Sequence, residues 1–265
     1  MLDVECVLLP SENPMTLGGT NTYLISVPGS SDVIIVDPGD EDITPITHRL
    51  GKRRCVLVLL THRHGDHSRG IDALIGDART PVRAWDLALA RHAEVLRDND
   101  VIVVGAGAGV IKVLHTPGHT SDSVCFVIDD ARGGPLILTG DTLLGHGSTI
   151  IEYPDGRLAE YFASLDRLMR LGDLRMLPGH GAERESVRDA ANEVRERRLE
   201  RLEQLKLLLT RELGTANVAE ITQHLYSDKL HPRVQRAARR TVLAQLDYLG
   251  DERSKEPLDF VDCER

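Results

Sequence analysis

Aromatic residues, cysteines and long apolar runs are scarce in this chain of 265 residues. Phe, Trp and Tyr together make up 3% of the sequence, which leaves few flat surfaces on which nucleic-acid bases could stack. No apolar stretch approaches the ~20 residues that a membrane-spanning helix needs, so no membrane partner is expected. Residues 1–5 lack the positive charge and apolar core of a signal peptide, which favours a cytoplasmic location.

The four cysteines are scattered and form no C-x-x-C pair. We therefore predict that Cys6, Cys55, Cys125 and Cys263 are buried free thiols rather than disulfides or metal ligands. The rest of the composition, 41% apolar and 28% charged, is typical of globular proteins. The length suits one large domain or two unequal ones.

The densest chemical signal is the heptapeptide Thr-His-Arg-His-Gly-Asp-His at residues 61–67. It directly follows residues 56–60, an apolar run typical of a buried strand. Loops at the ends of such strands are where α/β proteins place their sites. Imidazole nitrogens and carboxylate oxygens are suitable zinc ligands, so this loop predicts a metal site. Its candidate ligands are His62, His64, Asp66 and His67.

Three later segments supply further candidates in the same setting, a short apolar run followed by a turn with Gly or Pro. His119 lies in Thr-Pro-Gly-His-Thr, Asp141 in Thr-Gly-Asp-Thr and His180 in Pro-Gly-His-Gly. Gly and Pro permit the tight turns that direct a side chain inward. Four residues in one loop cannot complete two coordination shells, so these three are predicted to complete a dinuclear site.

The motif H-x-H-x-D-H, followed by a distant His, Asp and His, resembles the signature of the metallo-β-lactamase superfamily. The resemblance implies an α/β (α+β) fold, a four-layer αββα sandwich with the site at one edge of its two sheets. It also implies that the first metal is held by His62, His64 and His119, the second by Asp66, His67 and His180, and both by Asp141. Zinc is the implied metal, with Mn²⁺ or Fe²⁺ as alternatives for nitrogen and oxygen ligands.

Such a ligand set predicts a hydrolase. Two dications ~3.5–4 Å apart can generate a bridging hydroxide at neutral pH, which attacks a carbonyl carbon or a phosphorus. Asp66 would orient this nucleophile and carry its proton, and Asp141 would hold both ions. These two carboxylates are therefore the predicted catalytic residues.

The residue pattern changes near residue 183, from β-rich runs to charged helical segments. This change predicts two domains. Residues 1–182 alternate β-rich runs with helical patterns at 43–50, 87–96 and 158–171, as expected for a catalytic sandwich with helical outer layers. Residues 183–265 contain charged helical patterns and form the second predicted domain, which is helical and winged-helix-like.

The second domain resembles the small winged-helix domain of one branch of the superfamily. That branch includes a mitochondrial β-lactamase-like protein described as an endoribonuclease on single-stranded RNA. The resemblance covers nearly the whole chain. One departure is the acidic segment 256–264, because a winged helix that binds nucleic acid usually has a basic wing.

Three functions remain open from the sequence. The branch resemblance favours an endoribonuclease on single-stranded RNA. The ligand set equally suits a glyoxalase II-like hydrolase of a small-molecule thioester or ester. The third hypothesis is that the protein is not an enzyme but a winged-helix binding module attached to a degenerate hydrolase core. The net charge of −9 disfavours a nucleic-acid partner.

Positive charge is concentrated in residues 195–255, which contain 13 basic and nine acidic side chains, net +4. Arginines cluster at 195–201 and at 233–240. We interpret these clusters mainly as solvated helix faces, because glutamates interleave with the first one. The alternative is a strip that holds a polyanion or an acidic acyl carrier such as CoA.

Two residues beside the motifs have open roles. Asp37 follows an apolar run and precedes Pro38-Gly39, so it either orients a ligand histidine or caps the loop as a turn carboxylate. His146 follows Asp141 by five residues and is interpreted mainly as an exposed loop residue, with a contact to substrate as the alternative.

Overall fold

Ten strands form two five-stranded sheets, in a computed structural model that describes residues 1–76, 78–211, 214–226 and 231–256. In the first sheet the strands lie side by side in chain order: β1 (Asp3–Pro10), β2 (Gly19–Ser26), β3 (Asp32–Val36), β4 (Arg54–Leu59) and β5 (Val82–Arg83). The second sheet has the same simple order: β6 (Val101–Val104), β7 (Gly109–His115), β8 (Val124–Ile128), β9 (Leu136–Gly140) and β10 (Arg175–Pro178). Strands β3 to β5 run parallel, as do β9 and β10, and the other neighbouring pairs are antiparallel.

Apolar side chains pack against both faces of each sheet. Between the sheets, Ile34 and Val36 of β3 belong to the same apolar cluster as Phe126 and Ile128 of β8. The outer face of the first sheet is covered by α1 (Thr44–Leu50) and α3 (Ile71–Ile75). The outer face of the second sheet is covered by α4 (Leu158–Met169) and the first half of α5 (Val187–Arg211). The order helix, sheet, sheet, helix confirms the predicted four-layer sandwich.

Two of the three helices predicted for the first domain are confirmed. The patterns at 43–50 and 158–171 correspond to α1 and α4. The helix predicted at 87–96 is wrong. Arg91 forms an antiparallel bridge with Val82, and this pairing requires an extended backbone. Pairing with β5 therefore overrides the helical spacing of the apolar residues.

The C-terminal region is helical in all of its described regular structure. It contains α5, α6 (Val218–Leu225), α7 (Pro232–Tyr248) and a 3₁₀ turn, Glu252–Lys255. Helix α6 begins with a capping box in which the side chains and backbone N–H groups of Asn217 and Glu220 bond reciprocally. The three helices share an apolar cluster that includes Leu205, Ile221 and Leu246. Residues 257–264 of the acidic segment lie outside the described residues, so the winged helix stays a prediction.

The boundary at residue 183 also stays a prediction, because α5 belongs to two clusters. Its first half contributes Val187 and Val194 to the core of the second sheet, together with Leu202. Its second half contributes Leu205 to the C-terminal cluster. Helix α5 is therefore a structural link between the sandwich and the last helices, and this link positions α7 beside the sandwich.

The prediction of buried thiols holds for one cysteine and is wrong for another. Cys125 is buried, Cys55 is partly buried and Cys6 is exposed. Cys6 alternates along β1 with Val7, which packs against the outer helices, so its side chain points to the opposite face of an edge strand. Cys263 lies outside the described residues. Among the helices of the described ranges, none is long and apolar enough to cross a membrane.

Replacing Leu202 by Ala should destabilise the fold by ~2–5 kcal/mol, because the Leu202 side chain is 2% exposed and packs in the core shared by α5 and the second sheet. Urea unfolding monitored by circular dichroism would measure the loss. Leu199→Ala on the same helix is the matched control, because Leu199 is 37% exposed and should cost less than ~1 kcal/mol. Equal losses in the two variants would contradict the assigned packing of α5.

Candidate metal centre

The seven predicted ligands lie on four loops, each of which follows the carboxyl end of a strand. Strand β4 leads into the loop with His62 and His64 and then into α2 (Gly65–Ser68), which carries Asp66 and His67. The loops after β7, β9 and β10 carry the remaining three ligands, His119, Asp141 and His180. These loops meet at one edge of the sandwich, where the structure brings all seven side chains together.

Three imidazoles form the first group. His64 Nδ1 lies 3.1 Å from His62 Nε2 and 3.1 Å from His119 Nε2. The candidate ligand atoms of this group all lie within 4.8 Å of one another. In a tetrahedral zinc site with bonds of ~2.0–2.1 Å, neighbouring nitrogens are about 3.4 Å apart. The observed spacing therefore suits three ligands of one ion.

The second group combines two imidazoles with a carboxylate. His180 Nε2 lies 3.3 Å from His67 Nε2 and 3.4 Å from Asp66 Oδ2. Both histidines are buried, whereas the Asp66 side chain is 29% exposed. Asp66 is therefore the ligand of this group that solvent or a substrate can reach.

Asp141 lies between the two groups. Its Oδ1 atom is 3.4 Å from His67 Nε2 and 3.5 Å from His180 Nε2, and its Oδ2 atom is 3.9 Å from His119 Nε2. Within the part of the chain that the structure describes, the buried Oδ1 atom has no hydrogen-bond partner. A buried carboxylate oxygen without a partner is costly unless a cation is bound to it. The donor set and this unpaired oxygen fit a pair of divalent ions, with Asp141 facing both.

Backbone carbonyls hold two of the imidazoles in the tautomer that metal binding needs. His119 Nδ1 donates to the carbonyl oxygen of Ile150 at 2.9 Å, and His180 Nδ1 donates to the carbonyl oxygen of Gly19 at 2.9 Å. A carbonyl oxygen only accepts, so each Nδ1 atom carries the proton. Each Nε2 atom is therefore the one that faces the cluster and would bind a metal ion.

Asp37 positions His67 in the same way. Its Oδ2 atom is 2.8 Å from His67 Nδ1 and accepts a hydrogen bond from Thr61 Oγ1 at 2.6 Å, while Oδ1 accepts one from the Thr61 N–H at 2.8 Å. Asp37 is 1% exposed and has a φ of 55°, in the left-handed region that residues other than glycine rarely adopt. The structure thus contains the contact with a candidate ligand histidine, and the bond from the Thr61 N–H also fixes the start of the motif loop.

Burial and neighbouring imidazoles keep the first group neutral. Burial lowers the pKa of His62 well below its usual value, and the adjacent His67 and His64 lower it further. Burial and the adjacent His119 lower the pKa of His64 to about 3, and burial lowers the pKa of His119. The neutral imidazole is the form that binds a metal.

The second group instead contains opposite charges in contact. Burial alone would raise the pKa values of Asp66 and Asp141, but attraction to His180 and His67 outweighs it and holds both below their usual range. Burial alone would lower the pKa values of these two histidines, but the Asp141 charge outweighs it and both are raised. Divalent cations would compete with those protons, so metal binding here should release them.

Gly179 leaves the space in which the last ligands meet. A Cβ atom at this position would lie 2.6 Å from His67 Cε1 and 2.8 Å from Asp141 Oδ1. Both distances are shorter than a side chain tolerates, so any residue other than glycine would displace a candidate ligand. The glycine before His180 is therefore required by packing.

A cavity of about 620 Å³ adjoins the ligand cluster. Its lining includes four of the candidate ligands: His64, Asp66, His119 and Asp141. The turn at Pro14–Thr16, the loop of residues 144–150 and one face each of α5 and α7 complete the wall. His146 is exposed and belongs to this lining, so a contact with substrate remains open for it. The C-terminal helices therefore form part of the same pocket as the candidate ligands.

The surface interpretation of the first arginine cluster is wrong for one member. Arg198 is 5% exposed, donates to the carbonyl oxygen of Thr149 and lies over the Tyr161 ring at 5.3 Å. The sequence contained the signal, because Val194, Arg198 and Leu202 are spaced by four along one helix face. A charged residue in an apolar helical stripe is easily assigned to the surface, and here the buried loop carbonyl is its partner.

The chain belongs to the metallo-beta-lactamase superfamily. The family model of that name matches residues 15–180. A metallo-beta-lactamase family protein from Thermus thermophilus has a similar solved structure, with a TM-score of 0.70, 25% identity and 93% of each chain covered. This likeness extends beyond the matched segment and includes the C-terminal helices.

Three relatives are similar in sequence. The lactamase-like protein vrtG of Penicillium aethiopicum is 38% identical over 63% of this chain and 53% of its own length. A beta-lactamase-like protein 2 homolog of Caenorhabditis elegans is 30% identical over 85% of this chain and 77% of its length. An atrochrysone carboxyl ACP thioesterase of Aspergillus fumigatus is 30% identical over 83% and 71%. The chain thus spans only about half the length of the first of these relatives.

Replacing Asp37 by Asn should weaken metal binding about 10- to 100-fold, because an amide N–H₂ group beside His67 Nδ1 would favour the tautomer whose Nε2 atom is protonated. Competition with a chromogenic chelator would measure the affinity. Asp129→Asn is the control, because Asp129 is an exposed carboxylate paired with Lys112. Unchanged metal affinity in the Asp37 variant would contradict its assigned role.

Proposed function

We propose that the chain is a hydrolase that depends on two divalent metal ions and cleaves the thioester or ester bond of a small acyl substrate. The observation that carries this proposal is the cavity of about 620 Å³ shared by the candidate ligands and the C-terminal helices. Small-molecule sites have volumes of about 300–1,000 Å³ and walls that are mostly apolar. The ligand cluster supplies the chemistry, and the cavity limits the size of the substrate.

The wall of the cavity suits an acyl chain. Helix α7 contributes Val234, Ala237 and Ala238, and the facing loops contribute Leu144 and Ile150. Burying an apolar chain against such side chains yields about 25 cal/mol per Å² of area removed from water. The substrate carbonyl would then lie at the ligand cluster while its apolar part contacts α7.

The chain's own residues divide the catalytic work. Bound divalent ions would activate water and polarise the substrate carbonyl. Asp66 lines the cavity and its side chain is 29% exposed, so its carboxylate would orient the attacking water and accept its proton. Asp37 and the backbone carbonyls of Ile150 and Gly19 fix the orientation of three candidate ligand imidazoles. Asp141 would contact both ions.

The relatives and the charge distribution support the acyl substrate over RNA. One relative that aligns over 83% of this chain is named a thioesterase. The net charge is −9, and several arginines of the basic region have acidic partners within the fold. These ion pairs join Arg195 to Asp166, Arg197 to Glu193 and Arg240 to Glu152. Such pairs reduce the positive charge that this region offers to phosphates.

Two alternative functions are tested by the same substrate assays. The RNA-cleaving alternative remains a prediction from the resemblance to the endoribonuclease branch. The non-enzyme alternative requires a degenerate core, and all seven candidate ligands are present and in contact. Zinc is the expected metal, with manganese and iron as the alternatives.

Metal-loaded protein should hydrolyse acyl thioesters and lose this activity on treatment with a chelator, because bound ions would activate the attacking water and polarise the substrate carbonyl. Hydrolysis of a hexanoyl thioester would be followed with a thiol-reactive dye, beside a single-stranded RNA oligonucleotide and bis-nitrophenyl phosphate. Elemental analysis of protein purified without added metal would identify the ion. Salt-sensitive RNA cleavage with inert thioesters would overturn the proposal in favour of the RNA alternative.

Replacing Asp66 by Asn should lower kcat by ~10²–10⁴-fold, because the amide cannot accept a proton. Part of the metal should remain bound, since the first group lacks Asp66 and stays intact. Elemental analysis and steady-state kinetics on the same preparation separate the two effects. Asp189→Asn on the exposed side of α5 is the control. A near-normal rate in the Asp66 variant would reject its assigned role.

A further inference from the structure

Gln245 on α7 is a buried amide with unmet hydrogen-bonding capacity. It is 1% exposed and belongs to the lining of the cavity. Over the residues that the structure describes, neither Gln245 Nε2 nor Gln245 Oε1 has a hydrogen-bond partner. Nearly all buried polar atoms in folded proteins are paired, because an unpaired one loses its hydration without compensation. An apolar residue at this place on α7 would therefore give a more stable protein.

Arg198 adds a second unmet donor to the same cavity. One of its guanidinium N–H groups donates to the carbonyl oxygen of Thr149, but its Nε atom is buried and lacks a partner in the described ranges. Arg198 and Gln245 lie on different helices, α5 and α7, and both line the cavity. These two lining residues thus contain two kinds of donor and one acceptor, all buried, that the described part of the chain does not use.

The chemistry of these atoms restricts what would pair with them. A hydrocarbon pairs with none of them. An anion accepts from Nε2 and from the arginine but leaves Gln245 Oε1 unpaired, and a cation does the reverse. A secondary amide has an N–H group for Oε1 and a carbonyl oxygen that accepts from two donors. A secondary amide therefore matches the unused atoms, as a hydroxyl group also does.

We infer that Gln245, assisted by Arg198, recognises an amide group of the substrate, so that the enzyme selects acyl thioesters that carry an amide over hydrocarbon thioesters. This inference rests on the proposed thioester hydrolysis at the adjoining ligand cluster. The amide belongs either to the arm that bears the thiol or to the acyl chain. Both sources present the same chemistry to the cavity.

Two pairs of matched substrates test the inference. The first pair compares the hexanoyl thioester of N-acetylcysteamine with hexanoyl S-pentyl thioester, which has the same number of chain atoms and no amide. The second pair moves the amide into the acyl chain, with an N-acetylated β-alanyl S-pentyl thioester beside the hexanoyl one. Each pair is measured with the wild type and with Gln245→Met, which keeps the length of the side chain and removes both polar atoms.

For the pair that contains the recognised amide, the ratio of kcat/KM values, amide over hydrocarbon, should fall about tenfold from wild type to Gln245→Met. The change should be mainly in KM. The pair that responds identifies the source of the amide. Gln223→Met, an exposed glutamine on α6 outside the cavity lining, is the matched control and should leave both ratios unchanged. Unchanged ratios in Gln245→Met for both pairs would overturn the inference.

Thermal stability separates recognition from a structural role. Because the Gln245 amide has no partner among the described residues, Gln245→Met should raise the melting temperature by about 2–4 °C. A lower melting temperature with both ratios unchanged would mean that the amide serves the fold, and would overturn the inference.

Binding measurements keep the inference separate from the proposed reaction. Thioether analogues of the same pairs cannot be hydrolysed, and calorimetry gives their Kd values for the wild type and for Gln245→Met. If no thioester is hydrolysed but the amide-bearing thioether loses about tenfold in affinity only in the variant, the proposed reaction fails and amide recognition stands. If thioesters are hydrolysed and the Kd ratios do not change, amide recognition fails alone.

Discussion

The contact between Asp141 and the two groups of ligands is the constraint on which the rest of the structure depends. One of its oxygens faces His67 and His180, and the other lies nearest His119. So many ionisable groups without intervening solvent repel or attract one another by several kcal/mol. Only a rigid scaffold keeps them in contact, and the two sheets supply it by ending four strands at one edge.

Hydrogen bonds from neighbouring elements hold the ligand loops in position. Gly19 at the start of β2 accepts from His180, and Asp37 at the end of β3 contacts His67. Three of the four ligand loops are thus tied to the first sheet or to the loop of residues 144–150. Orientation of the imidazoles depends on these bonds as much as on the ligands' own positions, because the partner of one ring nitrogen determines the tautomer of the other.

The sequence predicted which seven side chains lie together at this edge of the sandwich, because the segments that carry them each combine an apolar run with a turn residue. Those signals are local, and the order of His and Asp is specific to one superfamily. The failures have a common physical cause, which is tertiary pairing. Arg91 pairs with Val82 and prevents a helix, and Arg198 is buried because a loop carbonyl distant in sequence needs a donor. No local pattern specifies a partner that lies so far along the chain.

In the basic region, the net charge alone does not predict the positive charge available at the surface, because it does not show which arginines have carboxylate partners. A net charge of +4 over residues 195–255 suggests a surface for polyanions. In the fold, Arg195, Arg197 and Arg240 have carboxylate partners, and Arg198 is inside the protein. Arg195, Arg198 and Arg240 therefore connect α5 and α7 to the sandwich and its loops. That connection brings α7, with its apolar face and the buried Gln245 amide, to the ligand cluster. The sequence predicts these helices to be a separate winged-helix-like domain. In the fold they form one wall of the candidate site, so we expect side chains of α7 to contribute to substrate selection.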